Sequence, residues 1–264
     1  MKLLIIESNS PTRVNMARSS GKKTAAEQYG DCLQTLDQRV QFDIIEPYQH
    51  TFSVQETDYS QYQGAVFTGA GVSWGVDDPE AAPLRAAMAQ CFDAGLPCFG
   101  SCNGMQLAAQ VLGGQNGPNP NGLEIGFARE IALTVDGRDH PMMRGKTTNF
   151  AALCVHRDHV VTLPSEATLI ATNAHSPVQA FVYEKGKIKF WGTQYHPELE
   201  PQHIIDYINE PSGLFAEGES LLGALADCQA QPSADSLAQL GIQVNDIHRP
   251  HHTLELKNWL QTLS

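Results

Sequence analysis

The chain has 264 residues, 42% of them hydrophobic and 17% charged, enough for a full core in one large domain or one domain with an appendage. Its formal net charge of −12, without a basic patch, argues against a surface built for nucleic acid or an anionic membrane. No apolar run approaches the ~20 residues that cross a bilayer. The run after Lys2 is too short for a signal peptide, and the six cysteines show no paired C-x-x-C spacing, so a reduced, cytoplasmic protein is expected.

Short β-rich runs alternate with helical stretches, the pattern of an α/β domain with a mainly parallel sheet. Leu3 to Glu7 reads as a buried first strand, Phe42 to Glu46 as a second and Ala65 to Thr68 as a third, which ends in the loop Gly69-Ala70-Gly71. A helix is expected from Pro79-Glu80, with proline in its first turn, to about Ala94. Gly95-Leu96-Pro97 ends it and starts the apolar run Leu96 to Phe99, and Gln106 to Leu112 reads as the next helix. From Gly113 to Gly126 the chain reads as a loop. Strands follow at Ile131 to Val135, Leu169 to Thr172, Val178 to Tyr183 and Ile188 to Thr193, the last two joined by a hairpin turn at Gly186. A helix is expected over Pro201 to Ile208, and Glu210-Pro211-Ser212-Gly213 breaks the pattern. The rest is mostly helical by periodicity. This divides the chain into a main domain over 1–210 and a helical extension over 211–264. Apolar residues such as Leu221, Leu222, Leu225, Leu237 and Leu240 pack the extension onto the domain, or leave part of that face to a partner.

Chemistry concentrates at Gly100-Ser101-Cys102-Asn103-Gly104-Met105-Gln106, where an apolar strand meets a helix. A one-residue elbow there forces its central residue into a strained backbone conformation, which demands small neighbours such as Gly100 and Gly104. Cys102 then sits over a helix amino end, whose unpaired N–H groups and dipole favour a thiolate. A cysteine nucleophile needs a base and a group that orients the base. Gln194-Tyr195-His196-Pro197-Glu198 offers both: residues two apart in extended chain share a face, and Pro197 holds His196 extended. Taken alone, His-Pro-Glu reads equally as a helix start. An acyl-transfer site also needs oxyanion donors, which the Asn103 N–H and an N–H of the loop Thr68 to Ser73 can supply; that loop alone reads also as a tight turn. His248-Arg249-Pro250-His251-His252 lacks metal-ligand spacing and reads as a solvated loop, Cys98 as a buried strand residue, and Trp74 and Tyr195 as pocket wall or core.

Together these motifs, in this order, resemble class I (triad-type) glutamine amidotransferases. Val155-His156-Arg157-Asp158-His159-Val160-Val161-Thr162-Leu163-Pro164 is similar to the S-H-G-D-x-V-x-x-L-P stretch of the amidotransferase domain of GMP synthetases, and Thr68-Gly69-Ala70-Gly71 to that family's S-G-G-P loop. The resemblance covers roughly residues 1–210. It implies an open, mainly parallel, flavodoxin-like α/β sheet with helices on both faces and a site at the carboxyl ends of the strands. It further implies Cys102 as nucleophile, His196 as general base and acid, and Glu198 as its orienting partner. By the same resemblance Ala70 and Asn103 supply the oxyanion hole, while Gly69, Gly71, Gln106, His156 and Asp158 surround the substrate. Two departures stand out: Ala70 replaces the loop's second glycine and Gly71 its proline, and Asn103 stands where the family often has leucine.

The function implied first is hydrolysis of the L-glutamine side-chain amide through a γ-glutamyl thioester, with ammonia passing to a separate acceptor synthetase subunit. The alternative is a γ-glutamyl peptidase acting on γ-glutamyl peptides or conjugates, with residues 113–122 shaping a wider opening. A third reading is a non-catalytic binding or regulatory module, against which the joint presence of Cys102, His196 and Glu198 argues. None of these calls for a metal or cofactor.

Overall fold

A computed structural model describes residues 1–49, 57–210 and 213–263; of the expected break at Glu210 to Gly213, positions 211 and 212 lie outside the described residues. The first strand, β1 (Lys2–Ile6), is apolar on both faces because both are covered. It leads through α1 (Pro11–Ser19) and α2 (Ala25–Leu36) to β2 (Gln41–Ile45), β3 (Gly64–Phe67), α3 (Ala82–Asp93), β4 (Cys98–Ser101) and α4 (Asn103–Val111). Side chains alternate across a strand, so Leu3 and Ile5 pack with Ala26, Tyr29 and Leu33 of α2. Leu4 and Ile6 pack on the opposite face with Leu84 and Met88 of α3 and Met105 of α4. Each such large apolar side chain, fully buried, contributes about 1.5–3 kcal/mol.

The middle of the chain holds β5 (Gln115–Pro118), β6 (Glu124–Leu133), α5 (Val135–Asp139), β7 (Phe150–His156), β8 (Asp158–Thr162), β9 (Thr168–Thr172), β10 (Ala180–Lys185) and β11 (Ile188–Thr193). Nine strands form one sheet in the order β2-β1-β3-β4-β11-β10-β9-β6-β7, and β5 pairs with β8 in a small second sheet. The five strands β2, β1, β3, β4 and β11 run parallel. Beyond them β10, β9, β6 and β7 are antiparallel, beginning with the expected hairpin at Gly186, whose φ of 58° suits glycine. The open α/β sheet with helices on both faces is therefore as the sequence indicates.

Several local expectations need correction, among them the start of β6, which begins at Glu124 inside the stretch expected to be a loop. The stretch read as a loop contains β5, because Asn116 to Pro118 find partners in β8, a strand the sequence reading left unassigned. The strand ending at Val135 ends instead at Leu133, since Thr134 caps α5 by accepting from Gly137 N–H.

After β11 come α6 (Pro201–Ile208), α7 (Leu222–Ala230), α8 (Ala234–Leu240), α9 (Val244–Ile247), α10 (Arg249–His252) and α11 (Leu254–Thr262). Ala224, Leu225 and Leu240 share a cluster with Leu153 and Val155 of β7 and Ile204 of α6. Leu256, Trp259 and Leu260 of α11 join the cluster under β1 and α2. The expected solvated loop at His248 to His252 is instead the cap and single turn of α10 with His252 buried, and burial pushes that imidazole down to about 3. Among the described residues, no helix is long and apolar enough to cross a membrane.

Candidate active site

Parallel strands put their carboxyl ends on one edge, and there the motif residues gather: Glu7 after β1, Thr68 after β3, Cys102 after β4 and Gln194 after β11. Cys102 has φ 51° and ψ −106°, a left-handed conformation that a non-glycine residue holds only at a cost of order 1–3 kcal/mol. The turn is fixed by the Cys102 N–H donating to Thr193 O at 2.7 Å and the Gln106 N–H donating to Cys102 O at 3.0 Å. It also needs bare neighbours: a Cβ on Gly100 would lie 2.6 Å from Gly104 C, and one on Gly104 would lie 2.4 Å from Phe67 O. The sulfur is buried and donates to Val155 O at 3.7 Å. Asn103 opens α4, so its N–H belongs to the first turn, where helical amides have no intrahelical acceptor.

His196 and Glu198 are both buried, and His196 Nδ1 lies 2.7 Å from Glu198 Oε1. They meet in a turn, not in extended chain: β11 stops at Thr193, and the Leu199 N–H closes on His196 O at 3.4 Å. The His196 N–H is tied to Leu153 O of β7 at 2.8 Å. Glu198 Oε2 accepts from the Ser101 hydroxyl at 3.0 Å, and Ser101 Oγ lies 2.9 Å from the Tyr29 hydroxyl. Ser101 has one proton and spends it on Glu198, so Tyr29 is the donor to Ser101. Burial, then the charge of Glu198, keeps that phenol protonated. Sequence reading missed this relay; the serine inside the elbow motif was its one visible signal.

Burial is the largest influence on His196 and lowers its pKa, but Glu198 and the neighbouring Cys102 overcome it and hold the imidazole up at about 10. No hydrogen bond joins Nε2 to a partner among the described residues. The ring is thus oriented through Nδ1, which leaves Nε2 to carry the proton that the Cys102 thiol gives up.

The glycine loop is held from β1. Glu7 Oε1 accepts from the Asn9 backbone N–H and side-chain Nδ2, and Asn9 Oδ1 accepts from the Gly71 N–H at 2.9 Å. A proline at position 71 has no such N–H, which gives the departure from the family pattern a structural reason. Gly69 packs directly beneath the imidazole: a Cβ there would stand 2.5 Å from His196 Cε1.

Cys102, His196, Gly69, Ala70 and Gly71 line one cavity of ≈ 620 Å³. Its other walls come from α1, residues 20–25 and α6, none of which the motifs indicated, and residues 113–122 contribute nothing to it. Gln106, His156 and Asp158 come together as a separate hydrogen-bonded group. Gln106 Nε2 donates to Asp158 O at 2.8 Å, His156 Nδ1 lies 3.0 Å from that same oxygen, and His156 Nε2 lies 2.7 Å from Glu124 Oε2. None of the three lines the cavity; on β7 it is Val155 that faces in, and its strand neighbour His156 points away. Trp74 packs edge-on against Tyr48, and Tyr195 is core.

The family model for class-I glutamine amidotransferases matches residues 34–207. A gamma-glutamyl-L-1-hydroxyisopropylamide hydrolase from a Pseudomonas species is 32% identical over 188 residues, 66% of this chain and 63% of that protein. A GMP synthase [glutamine-hydrolyzing] from Aeromonas hydrophila is 32% identical over 152 residues, 54% of this chain and 28% of that protein. The chain thus spans less than two thirds of either relative. A solved glutamine amidotransferase from Methylobacillus flagellatus superposes with a TM-score of 0.64 at 17% identity, over 100% of this chain and 95% of that one, which supports the fold. With the family model covering residues 34–207, the chain belongs to the class-I glutamine amidotransferases.

Proposed function

We propose that the protein hydrolyses the side-chain amide of γ-glutamyl compounds through a thioester on Cys102, with His196 as base and acid and Glu198 as its orienting partner. The observation that carries this is the convergence of a strained Cys102, a His196–Glu198 pair and a braced glycine loop on one cavity. His196 holds the proton of the Cys102 thiol, and the thiolate attacks the δ-carbonyl. The N–H groups of Ala70 and Asn103 hold the developing oxyanion. An imidazolium favoured up to about pH 10 then protonates the leaving nitrogen as the C–N bond breaks. Water, deprotonated by His196, attacks the thioester and releases glutamate and the free thiol. In this scheme Gly69 and Gly71 let backbone and imidazole close on the substrate, while Gln106, His156 and Asp158 support the wall from behind.

Beyond the γ-glutamyl group itself, the cavity leaves room for a leaving group larger than ammonia. Ammonia is about the size of water, whose share of liquid volume is about 30 Å³, whereas ≈ 620 Å³ is the size of a drug-like ligand site. The γ-glutamyl amide hydrolase similarity points the same way. A second reading, glutamine hydrolysis supplying ammonia to a separate synthetase subunit, is favoured by the match to 28% of a GMP synthase. All six cysteines are free thiols, which fits a reducing cytoplasm.

The test is mass spectrometry of protein quenched during turnover of glutamine and of γ-glutamyl amides with progressively larger amines. A γ-glutamyl adduct on Cys102, absent from Cys102→Ala, supports the thioester. Faster acylation by the larger amides favours the hydrolase, and faster acylation by glutamine favours the ammonia source. No adduct with any of them refutes both.

A further inference from the structure

Glu198 is a buried carboxylate, and among the described residues its side-chain hydrogen bonds are two, to His196 at Oε1 and to Ser101 at Oε2. A charge removed from water needs a partner on each oxygen, and one contact alone leaves the carboxylate free to turn. Local sequence places the second donor. Side chains alternate along β4, so Ser101 takes the same sheet face as Phe99, where Tyr29 of α2 packs, while Gly100 faces α4. That face is apolar, with Leu3, Ile5, Val66 and Phe99 in one cluster, so packing alone gives no reason for a hydroxyl there. Tyr29 is set in turn by the start of α2, where Thr24 and Glu27 form a capping box and the Ala26 N–H donates to Glu7 Oε2 at 2.8 Å.

A serine hydroxyl turns freely and can give its proton to one acceptor only. Tyr29 removes that freedom: its own O–H, 2.9 Å from Ser101 Oγ, fills a lone pair and leaves the serine proton for Glu198 at 3.0 Å. With Tyr29 at 1% and Ser101 at 0% exposure, water does not compete for either hydroxyl. Resting on the thioester reading above, we propose that Ser101 and Tyr29 are positioning residues, which lock the Glu198 carboxylate with Oε1 on His196 and so hold the imidazole beside Cys102. The surroundings offer the carboxylate no rival. Of the groups that feel its charge, burial pushes the Cys32 thiol and the Tyr207 phenol up and the His203 imidazole down, which keeps all three neutral. The serine in the elbow motif thus serves the base, while the cysteine beside it serves as nucleophile.

The experiment is a double-mutant cycle of Ser101→Ala and Tyr29→Phe, read by single-turnover acylation with a γ-glutamyl anilide and by the rate at which iodoacetamide alkylates Cys102. Ser101→Ala is expected to lower the saturated acylation rate about 10- to 100-fold, with half-saturation within about threefold of wild type. Tyr29→Phe should lower it about 3- to 10-fold, and less than about twofold further once Ser101 is alanine, because the tyrosine acts through the serine. Alkylation, which needs the thiolate but no γ-glutamyl group, should slow in the same order. Leu33→Ala, a cavity in the same helix away from these hydroxyls, should keep the acylation rate of the folded protein within about twofold. Equal slowing by Leu33→Ala, additive losses from Ser101 and Tyr29, or a loss carried by half-saturation would overturn the proposal and mark the hydroxyls as packing. If the wild type is not acylated at all, the functional reading fails, and alkylation alone decides: slowing in the stated order upholds the positioning role, and unchanged rates overturn it.

Discussion

Glu198→Gln probes the charge that holds His196 ready. The substitution keeps the side chain's shape and an oxygen for Nδ1–H, and removes only the negative charge. A rise from the ordinary 6.5 to about 10 corresponds to roughly 5 kcal/mol in favour of the imidazolium. Burial opposes that rise, and the charge of Glu198 is the largest of the influences that overcome it, with Cys102 sharing in it. A loss of ~2–3 kcal/mol from the proton-transfer steps lowers the acylation rate about 10²-fold. The sign of the pH dependence follows from a histidine raised in the folded state: its stabilisation is complete below pH 6.5 and is lost as pH climbs to about 10. The assay pairs single-turnover acylation by a γ-glutamyl anilide with a ¹⁵N titration of His196 from pH 5 to 11. Wild type should titrate near 10, and the variant well below it with slowed acylation. A variant within about threefold of the wild-type rate, or one with an unmoved midpoint, would refute the coupling.

Ser101→Ala removes the donor to Glu198 Oε2 and strands the Tyr29 hydroxyl; a thermal melt should show about 1–3 kcal/mol lost. Gly69→Ala drives a methyl group against the imidazole at 2.5 Å; acylation should fall about 10²-fold or more with an unchanged far-ultraviolet dichroism spectrum. Glu255→Ala leaves Lys146 buried without its partner; chemical denaturation should report about 3–5 kcal/mol lost, and a loss under 1 kcal/mol would contradict the buried-pair reading.

The parts legible in the sequence were those with short-range signatures. Cys102 declared itself because a tight elbow needs Gly100 and Gly104 within four residues of each other, and both clashes are confirmed by the packing. Ile188 to Thr193 and Pro201 to Ile208 were legible to the residue, since a hairpin glycine and a first-turn proline bound them. The cavity was not legible, because α1 and the segment at α6 meet there from far apart in sequence, Arg13 and Glu210 being 197 residues apart. The strand β5 failed for the same reason: Gly117 and Pro118 have little strand propensity, and pairing with β8 decides their conformation. His156 and Asp158 were placed by motif similarity, which carries residue type but not the face of the strand a side chain takes.

Two unequal walls follow from this geometry. His196 is held on one side by Glu198, Ser101 and Tyr29. On the other, its neighbour Tyr195 donates to Glu255 of α11 at 2.6 Å, and Lys146 meets that same carboxylate at 3.2 Å while lying over the Phe150 ring. The C-terminal helices, which carry no motif, thus pin the chain immediately before the histidine with a fully buried ionic cluster. Opposite them, α1 buries Val14 alone and leaves Met16 exposed, and Arg13 pairs with Glu210, two residues past the end of α6. Chemistry that must place a proton to a fraction of an ångström sits where burial and paired charges leave one arrangement. The wall formed by α1 and α6 rests instead on one buried valine and two partly exposed ion pairs, Arg13–Glu210 and Lys22–Asp206, so substitutions there can reshape the cavity without disturbing the histidine.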